Sequence, residues 1–568
     1  MKIRDLEWWI VGLLGVASFF LAITGYHILY TEAGVQRSFL DLAYQSLMLF
    51  GLEVIYEFES PLPWQLEVAR WLAPALVLYA AGKAVLYIIR REFKSLVVKY
   101  YRNHIIITSL NIRTRHLVSD LIHAGKKVVV IAGIEEKQKI DILEKEGAII
   151  IEGKITSDRF LKNIAARKAR YFVFADSSDE LNISSALEVF HFLKKKGRNK
   201  QQVLFTHVAD DLKLNELKEL NFFEEYTERD MQRANCEIRI FSAYERAARM
   251  LFNQYAPDIF HPLHSPEDPP IHVAIIGSGK LAQSMIIRLA RLGHFANLRK
   301  LKITLFHDDQ RLLTRLNRHL KNLQSLVSIE AVAEDLDLFD AAKFKACHQK
   351  EAFAVVYILC EDDGLSSGIL NQIAGVETEK PLDVVLTLMN PDSIMSKWYT
   401  AAGVNQLNLH KFNFTEASFT REALISEKID SLAKVIHRDY LEGIAQKNPN
   451  KVSHQPWELL PVDFKNQNRE QADHLFVKLR ALGGRERAIE KIKSIDTESL
   501  EVLSEMEHNR WWAHMALSGW RLAEKRDDSR KLHTDLKPYE DLPDEVKQYD
   551  RNTILNIPNL IEKYEQQS

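Results

Sequence analysis

Apolar positions along the chain fall into three regimes. From Trp8 to Tyr30 the sequence WWIVGLLGVASFFLAITGYHILY carries no Asp, Glu, Lys or Arg, and about 20 apolar residues rising 1.5 Å each cross a bilayer core. The run predicts a transmembrane helix with Trp8-Trp9 and Tyr26/Tyr30 at the interfaces. A cleaved leader fits less well, because Met1 to Glu7 is mixed in charge and the apolar run exceeds that of a leader. A second span is predicted at Trp71 to Ile89. Arg90, Arg91, Lys94, Lys99 and Arg102 follow it, whereas residues 31–70 hold Glu32, Asp41, Glu53, Glu57, Glu59 and Glu67 against Arg37 and Arg70. By the positive-inside rule both termini are then cytoplasmic. Between the spans, Ser38 to Glu53 is amphipathic and too short to cross alone.

After Arg102 the period changes. Short β-branched runs (HIIITSL, KKVVVIAG, AIIIEGK, YFVFAD) alternate with amphipathic helices, and a second series follows from IHVAIIGSGK through LKITLFHDD, SIEAVAED, FAVVYILCEDD and DVVLTLMN. This alternation predicts parallel, doubly wound sheets. Each series closes with a helical tail, Ser242 to Tyr255 and Ser426 to Gly443, and HPLHSPEDPP reads as the linker between them. From Gln455 onward the chain is polar, helical and rich in Trp, His and Arg. The expected domains are 1–100 (membrane hairpin), 101–262 and 270–445 (two α/β Rossmann-like units) and 455–568 (mainly α).

Composition narrows the function. The 568 residues are 46% hydrophobic and 27% charged with a net charge of -2, so no basic excess favours nucleic acid as a partner. Cys236, Cys347 and Cys360 form no CxxC and no disulfide framework. No GxSxG, Walker loop, HExxH or Cys/His dyad is present, so no enzymatic activity is expected. Glu505/His508 and His261/His264 have ligand-like spacings, but the first belongs to a motif described below and the second to the Pro-rich linker, so no metal is expected.

The hairpin resembles the span, pore helix, span layout of two-helix ion channels, the short segment being tolerated only when buried against other subunits. It does not resemble their filter. A potassium filter uses TVGYG-like carbonyls, whereas Met48-Leu49-Phe50-Gly51-Leu52 has one glycine and no threonine. Phe50 and Gly51 are therefore pore candidates without implied potassium selectivity. Lys83 either faces a pore, where a ring of lysines would favour anions, or snorkels to the cytoplasmic face. Gly82 is either a gating hinge or a small residue at a helix contact, and Pro74 is expected to kink the helix.

HIIITSLNIRTRHLVSDLIHAGKKVVVI, ADSSDELNISSALEVFHFLK and the hairpin upstream resemble the regulator-of-potassium-conductance (RCK) family, which shares the TrkA-N fold. The resemblance implies a homotetramer with a cytoplasmic gating ring of paired domains. Nucleotide binding needs glycines that let backbone amides approach a pyrophosphate. The first unit reads Ser109-Leu110-Asn111-Ile112-Arg113-Thr114 there, which favours a structural sheet. The second reads Gly277-Ser278-Gly279-Lys280-Leu281-Ala282, with Asp308 and Asp309 ending the next strand. That GxGxxA either seats a nucleotide, with Asp308 on the ribose, or makes a close strand-to-helix turn.

The C-terminal stretch resembles the ryanodine-receptor (RyR) repeat domain through His508, Trp511, Gly519-Trp520, Arg526-Asp527-Asp528, Lys531, His533, Leu536, Pro538-Tyr539, Leu542-Pro543 and Tyr549-Asp550-Arg551, with Thr534 where the family usually has Pro. The resemblance implies ligand sensing. Trp511, Trp512 and Trp520 offer flat faces or core, and Arg526, Arg530, Lys531, His533 and Arg551 either meet phosphates or form a solvated face; Tyr539 and Asp550 complete the candidate set. The helix Asn468 to Gly483, with Arg469, Asp473, His474 and Lys478, is expected to pack beside it. The chain thus reads as a ligand-gated ion channel or pore of the bacterial inner membrane, sensing an NAD-like or cyclic nucleotide signal. Resemblance to conflict-system proteins adds a defence role, in which the membrane is depolarised on a nucleotide alarm. The alternative is a non-conducting, membrane-anchored nucleotide-sensing scaffold. A tethered NAD-dependent enzyme would need an acid or base that the sequence does not offer.

Overall fold

The computed structural model describes residues 3–53, 61–133, 137–195, 201–213, 235–390, 407–444, 448 and 451–567, the side chains of 3–7, 86–92 and 137–139 excepted. Glu57, Glu59 and the side chains of Arg90 and Arg91, which bear on orientation, lie outside the described residues. The chain divides into two compact units, Met1–Tyr100 and Tyr101–Ser568.

In the first unit, helices Ile3–Glu32 and Trp64–Lys99 flank a short helix, Phe39–Met48. Among the described residues, the stretches long and apolar enough to cross a membrane are Trp8–Glu32 and Trp64–Val85. The second starts earlier than the sequence predicts, since Glu67 and Arg70, which interrupt the hydropathy, pair at 2.5 Å along the helix. Trp9, Leu13, Phe20 and Leu78 stay exposed, as lipid-facing residues would. The hairpin closes on Ala22, Tyr26, Leu29, Leu42, Leu49, Leu66, Ala69 and Ala73. Its tightest point is Gly25, where a Cβ would lie 2.7 Å from the Leu66 backbone nitrogen. At Gly82 no atom lies within 4 Å of that position, so within one chain the close helix contact falls at Gly25. Ser38 caps the short helix in a reciprocal box with Asp41, and Gln45 Nε2 donates to Tyr30 Oη at 2.9 Å. The segment ends in a Leu49–Gly51 turn with Leu52 at φ +68°. Phe50 is half-buried and Gly51 exposed. Lys83 is exposed, its Nζ 5.3 Å from the Tyr79 ring centre.

The second unit holds two six-stranded, wholly parallel sheets. The first runs β3-β2-β1-β4-β5-β6 through Ile105–Thr108 (β1), Val128–Ala132 (β2), Ile149–Glu152 (β3), Tyr171–Phe174 (β4), Gln202–His207 (β5) and Cys236–Phe241 (β6). The second repeats the order with His272–Ile276 (β7), Lys302–His307 (β8), Ser328–Ala333 (β9), Val355–Ile358 (β10), Leu382–Leu388 (β11) and Leu407–Asn413 (β12). Both are doubly wound Rossmann-like sheets, with a switch point between β1 and β4 and between β7 and β10. After Gly443 the chain is mainly helical: Val462–Ala481, Arg485–Lys493, Thr497–Leu517, Asp544–Leu555 and Ile557–Glu565. One continuous apolar core joins these helices to both sheets.

A buried ion network runs through the same region. Arg249 of the first sheet's closing helix, Ala243–Gln254, donates to Asp473 (2.6 Å) and Asp430 (2.5 Å), and Arg288 of the Lys280–Leu292 helix also meets Asp473. Arg291 and His514 hold Glu470, at 3.0 and 2.9 Å. Lys478 and Arg510 hold Glu507, both at 2.6 Å. Burial alone would raise Glu507, but Arg510 and Lys478 outweigh it and hold the carboxyl at about 2. Burial instead pushes His207 down to about 3 and His294 to about 4.

Two outcomes are expected. Gly25→Leu should lower the melting temperature of the detergent-solubilised chain, an overpacking cost of about 1–3 kcal/mol, while Gly12→Leu, at an open position, leaves it unchanged. His207 and His294 stay neutral in the fold down to about pH 3 and 4 but protonate near 6.5 when unfolded. Between those values the unfolded state binds more protons, so stability is lost as pH falls below 6.5, by about 2 kcal/mol per histidine at pH 5. Melting curves at pH 7 and pH 5 should show the loss, and His207→Gln should reduce it.

Candidate functional site

The second sheet's crevice is built as the GxGxxA motif requires. Gly277, at φ +138°, brings the β7 turn so near β10 that a Cβ would lie 2.9 Å from the Leu359 carbonyl oxygen. Gly279 then opens the Lys280–Leu292 helix without a side-chain cap, which leaves its first amides facing the crevice, the usual seat of a pyrophosphate. Here the seat is taken. Glu361 Oε1, from the loop after β10, accepts from the Lys280 amide at 2.5 Å and the Leu281 amide at 3.4 Å. A Cβ at Gly279 would clash with that oxygen.

Glu361 also ties the two sheets together. Its Oε2 accepts from Tyr244 Oη at 2.9 Å, and Arg113 Nη2 of the first sheet donates to the same hydroxyl at 2.8 Å. Burial pushes the Tyr244 phenol up to about 12, so it stays a donor. The Arg113 guanidinium lies 5.1 Å from the Tyr244 ring centre and 5.3 Å from that of Phe414. Lys280 Nζ reaches Asp210 beyond β5, Gln283 Nε2 donates to Asp210 at 3.2 Å, and Ser284 Oγ donates to Asp211. Burial would raise Asp210, but Lys280 and Gln283 outweigh it and hold it low. Ser278 Oγ donates to Asp308, so both candidate residues are at the crevice rim.

Side chains bridge the strand ends at the first sheet's crevice. Asn111 caps the Ile112–His123 helix by accepting from the Arg113 and Thr114 amides, and its Nδ2 donates to Ala175 O beyond β4 at 2.9 Å. Asn182 spans Asp176 and His207 O.

Among the C-terminal candidates the structure gathers an imidazole and indole cluster. Trp511 and Trp520 flank His533 at 5.1 and 6.1 Å, and His508 packs on Trp511 and Tyr539 at 5.6 and 5.9 Å. Trp512 lies 6.3 Å from His508 and packs on the main core. His508 Nε2 meets Lys537 O at 2.8 Å, and its Nδ1 is 3.7 Å from Asp550. Burial, reinforced by Glu507, pushes Asp550 up to about 8, and burial lowers His508, so the two face each other uncharged near neutral pH. The cations do not converge on this cluster. Arg551 is engaged by Glu501 (2.6 Å) and Asp544 (2.7 Å), Arg526 by Asp528 (2.7 Å), and Lys531 Nζ by Ser518 O (2.9 Å); Arg530 is exposed. A phosphate would have to compete with carboxylates for Arg526 and Arg551. Among the described residues no group of three or more His, Cys, Asp or Glu is placed to hold a metal.

Residues 105–217 match the TrkA-N domain model and residues 491–565 the RyR domain model, so the chain carries a TrkA-N domain in its first sheet and a RyR domain near its C-terminus. No curated protein matches the sequence. Among solved structures, the GsuK channel bound to NAD is similar at 12% identity over 77% of this chain and 84% of that one, with a TM-score of 0.39. GsuK bound to ADP is similar at 13% over 72% and 94%, with a TM-score of 0.37. A dipicolinate synthase chain from Bacillus halodurans is similar at 9% over 57% and 92%, with a TM-score of 0.22.

The two crevice glycines should respond differently to a methyl group. Gly277→Ala meets backbone at a positive φ and should destabilise by about 1–3 kcal/mol. Gly279→Ala meets only the movable Glu361 side chain and should cost less. Thermal melting of the two variants side by side checks the order.

Proposed function

We propose that this chain is a membrane protein whose second unit senses a nucleotide-like signal and controls ion passage through a pore formed by its N-terminal helices. The observation that carries the reading is an order of parts. Two membrane-length apolar helices enclose a capped short helix, and the second runs on to Lys99, six residues before β1 of a Rossmann-like pair joined to a RyR domain. Pore formation from such a short segment needs several copies, and a homotetramer with both termini in the cytoplasm is the arrangement proposed. Phe50 and Gly51 would line the mouth, Gly82 would hinge the second helix and Lys83 would bias selectivity towards anions.

Nucleotide sensing is supported by the second crevice. Its GxGxxA fingerprint, the helix N-terminus that Gly279 leaves without a cap of its own, and Asp308 support a dinucleotide seat, in which the Glu361 carboxylate holds the place of the phosphate. A ligand there would displace Glu361 and release the Tyr244 and Arg113 tie between the sheets. The RyR domain would contribute a further sensing surface. A defence effector that depolarises the bacterial inner membrane on a nucleotide alarm is the physiological setting proposed.

The Met48 to Leu52 stretch, with its single glycine, favours a second reading, an anchored scaffold that conducts nothing. Ion flux from liposomes containing the full chain separates the two. With potassium, sodium and chloride exchanged in turn, and NAD or ADP added, the channel reading expects flux that changes with nucleotide, and a fall in chloride relative to cation permeability for Lys83→Ala. Absence of flux under every condition would leave the scaffold.

A further inference from the structure

A large cavity in the second unit lies outside both Rossmann crevices. It has a volume of about 1190 Å³ and is bounded by the β6 edge, the Ala243–Gln254 and Lys280–Leu292 helices, residues 423–434, the Val462–Ala481 helix and the RyR-domain residues His514, Leu517 and Ser518. That exceeds the roughly 300–1,000 Å³ of ordinary small-molecule sites. Its wall is charged with both signs: Arg246, Arg249, Arg288, Arg291, Lys465 and Arg469 line it, and so do carboxylates that include Glu245, Asp430, Asp463 and Glu470.

Most of these cations are paired with carboxylates among the described residues, and two are not. Arg249, Arg288, Arg291 and Arg469 have carboxylate partners in Asp430, Glu470 and Asp473, and Glu237 and Glu427 are engaged by Arg239. Arg246 and Lys465 pair with no carboxylate among the described residues. Arg246 is held by one hydrogen bond, Nη1 to Ala423 O at 2.5 Å, and lies 4.9 Å from the Phe241 ring centre. Lys465 reaches only Glu458 O, at 3.4 Å, and the Trp457 ring, at 6.0 Å. Arg288 is 7% exposed, and its Nε and that of Arg291 have no hydrogen-bond partner although both atoms are buried. Buried donors without acceptors are costly and rare. Burial depresses Arg246 and Lys465, outweighing the more distant carboxylates of Glu427 and Glu237.

We propose that this cavity binds a dinucleotide-sized organic phosphate, its phosphates on Arg246 and Lys465 and an aromatic base beside Trp457. The inference rests on the sensing reading above and gives the signal a site separate from the crevice. A ligand there would touch the first sheet's closing helix, the second sheet's first helix and the RyR domain together. Differential affinity for two arrangements of these elements is what coupling requires.

Calorimetric titration of the full chain in detergent with NAD, ADP and inorganic pyrophosphate tests it. The expected result is binding of NAD or ADP that weakens about tenfold or more in both Arg246→Gln and Lys465→Gln, partial recovery in Arg246→Lys, and no change in Lys350→Gln, at an exposed lysine outside the cavity wall. Lys465 is half-buried, so its variant tests the site even where Arg246→Gln disturbs folding. Pyrophosphate binding as tight as that of both nucleotides would reduce the cavity to an adventitious anion trap and overturn the proposal. Binding lost in Asp308→Ala but untouched by the two cation variants would place the ligand in the crevice and overturn the cavity site while keeping the sensing reading. No binding of any probe by the folded wild-type chain at millimolar concentration would also overturn it. Cavity-dependent binding that leaves liposome flux unchanged would support the site and overturn the sensing reading instead.

Discussion

The second unit depends on Asp473. This carboxylate, on the Val462–Ala481 helix, is buried and receives guanidinium groups from Arg249, behind the first sheet, and Arg288, on the first helix of the second. Arg249 also meets Asp430, but Arg288 pairs with no other carboxylate among the described residues, and a buried charge stripped of its partner costs about 3–5 kcal/mol. The C-terminal helices are therefore more than an appended module. They supply the anions that let two cationic helix faces pack together, with Glu470 doing the same for Arg291. Hydrophobic replacements could match the stability of such a network. What the network adds is orientation, because bidentate guanidinium and carboxylate geometry fixes how the helices meet.

Much of this is legible in sequence, and the failures share a cause. Strands buried on both faces, such as VVVIA and HVAII, read as continuous β-branched runs. β6, CEIRIF, and β12, LNLHKFN, are edge strands in which polar residues alternate, and β5, QVLFTH, opens and closes on polar side chains. None of the three stands out in the hydropathy pattern: an apolar run is not required of an edge strand such as β6 or β12, and in the fully buried interior strand β5 the apolar run is only Val203 to Phe205, its polar ends being buried and Gln202 hydrogen-bonded. The early start of the second span is hidden in the same way, by a Glu67 and Arg70 pair that neutralises itself.

Side-chain roles are harder to read than strands. The GxGxxA turn is recognisable because glycine spacing is a local constraint, and the structure gives Gly277 and Gly279 the close approaches the motif implies. Its occupant is not recognisable. Glu361 lies 81 residues beyond Lys280 and gives no signal beyond an acid following a strand. The cations of the RyR domain look like a phosphate cluster, yet Arg526 and Arg551 are spoken for by neighbouring acids. Meanwhile Arg246 and Lys465, in stretches with no motif, are the ones left without carboxylates. Sequence shows where charge is, but which charges cancel depends on contacts hundreds of residues apart.

That distribution bears on how a signal could act. Each possible ligand position is already occupied by part of the protein or borders on it: a carboxylate in the second crevice, asparagines in the first, and a half-compensated wall in the central cavity. A phosphate entering the second crevice must replace the Glu361 hydrogen bonds to Lys280 and Leu281, and only its surplus over them is available to shift anything else. A phosphate entering the cavity would find Arg246 and Lys465 held by no carboxylate among the described residues, but it would also meet Asp430 and Glu470 on the same wall. Under the proposal, a ligand held by those two cations would act at the junction where the ion network already sets how the sheets and the RyR domain meet.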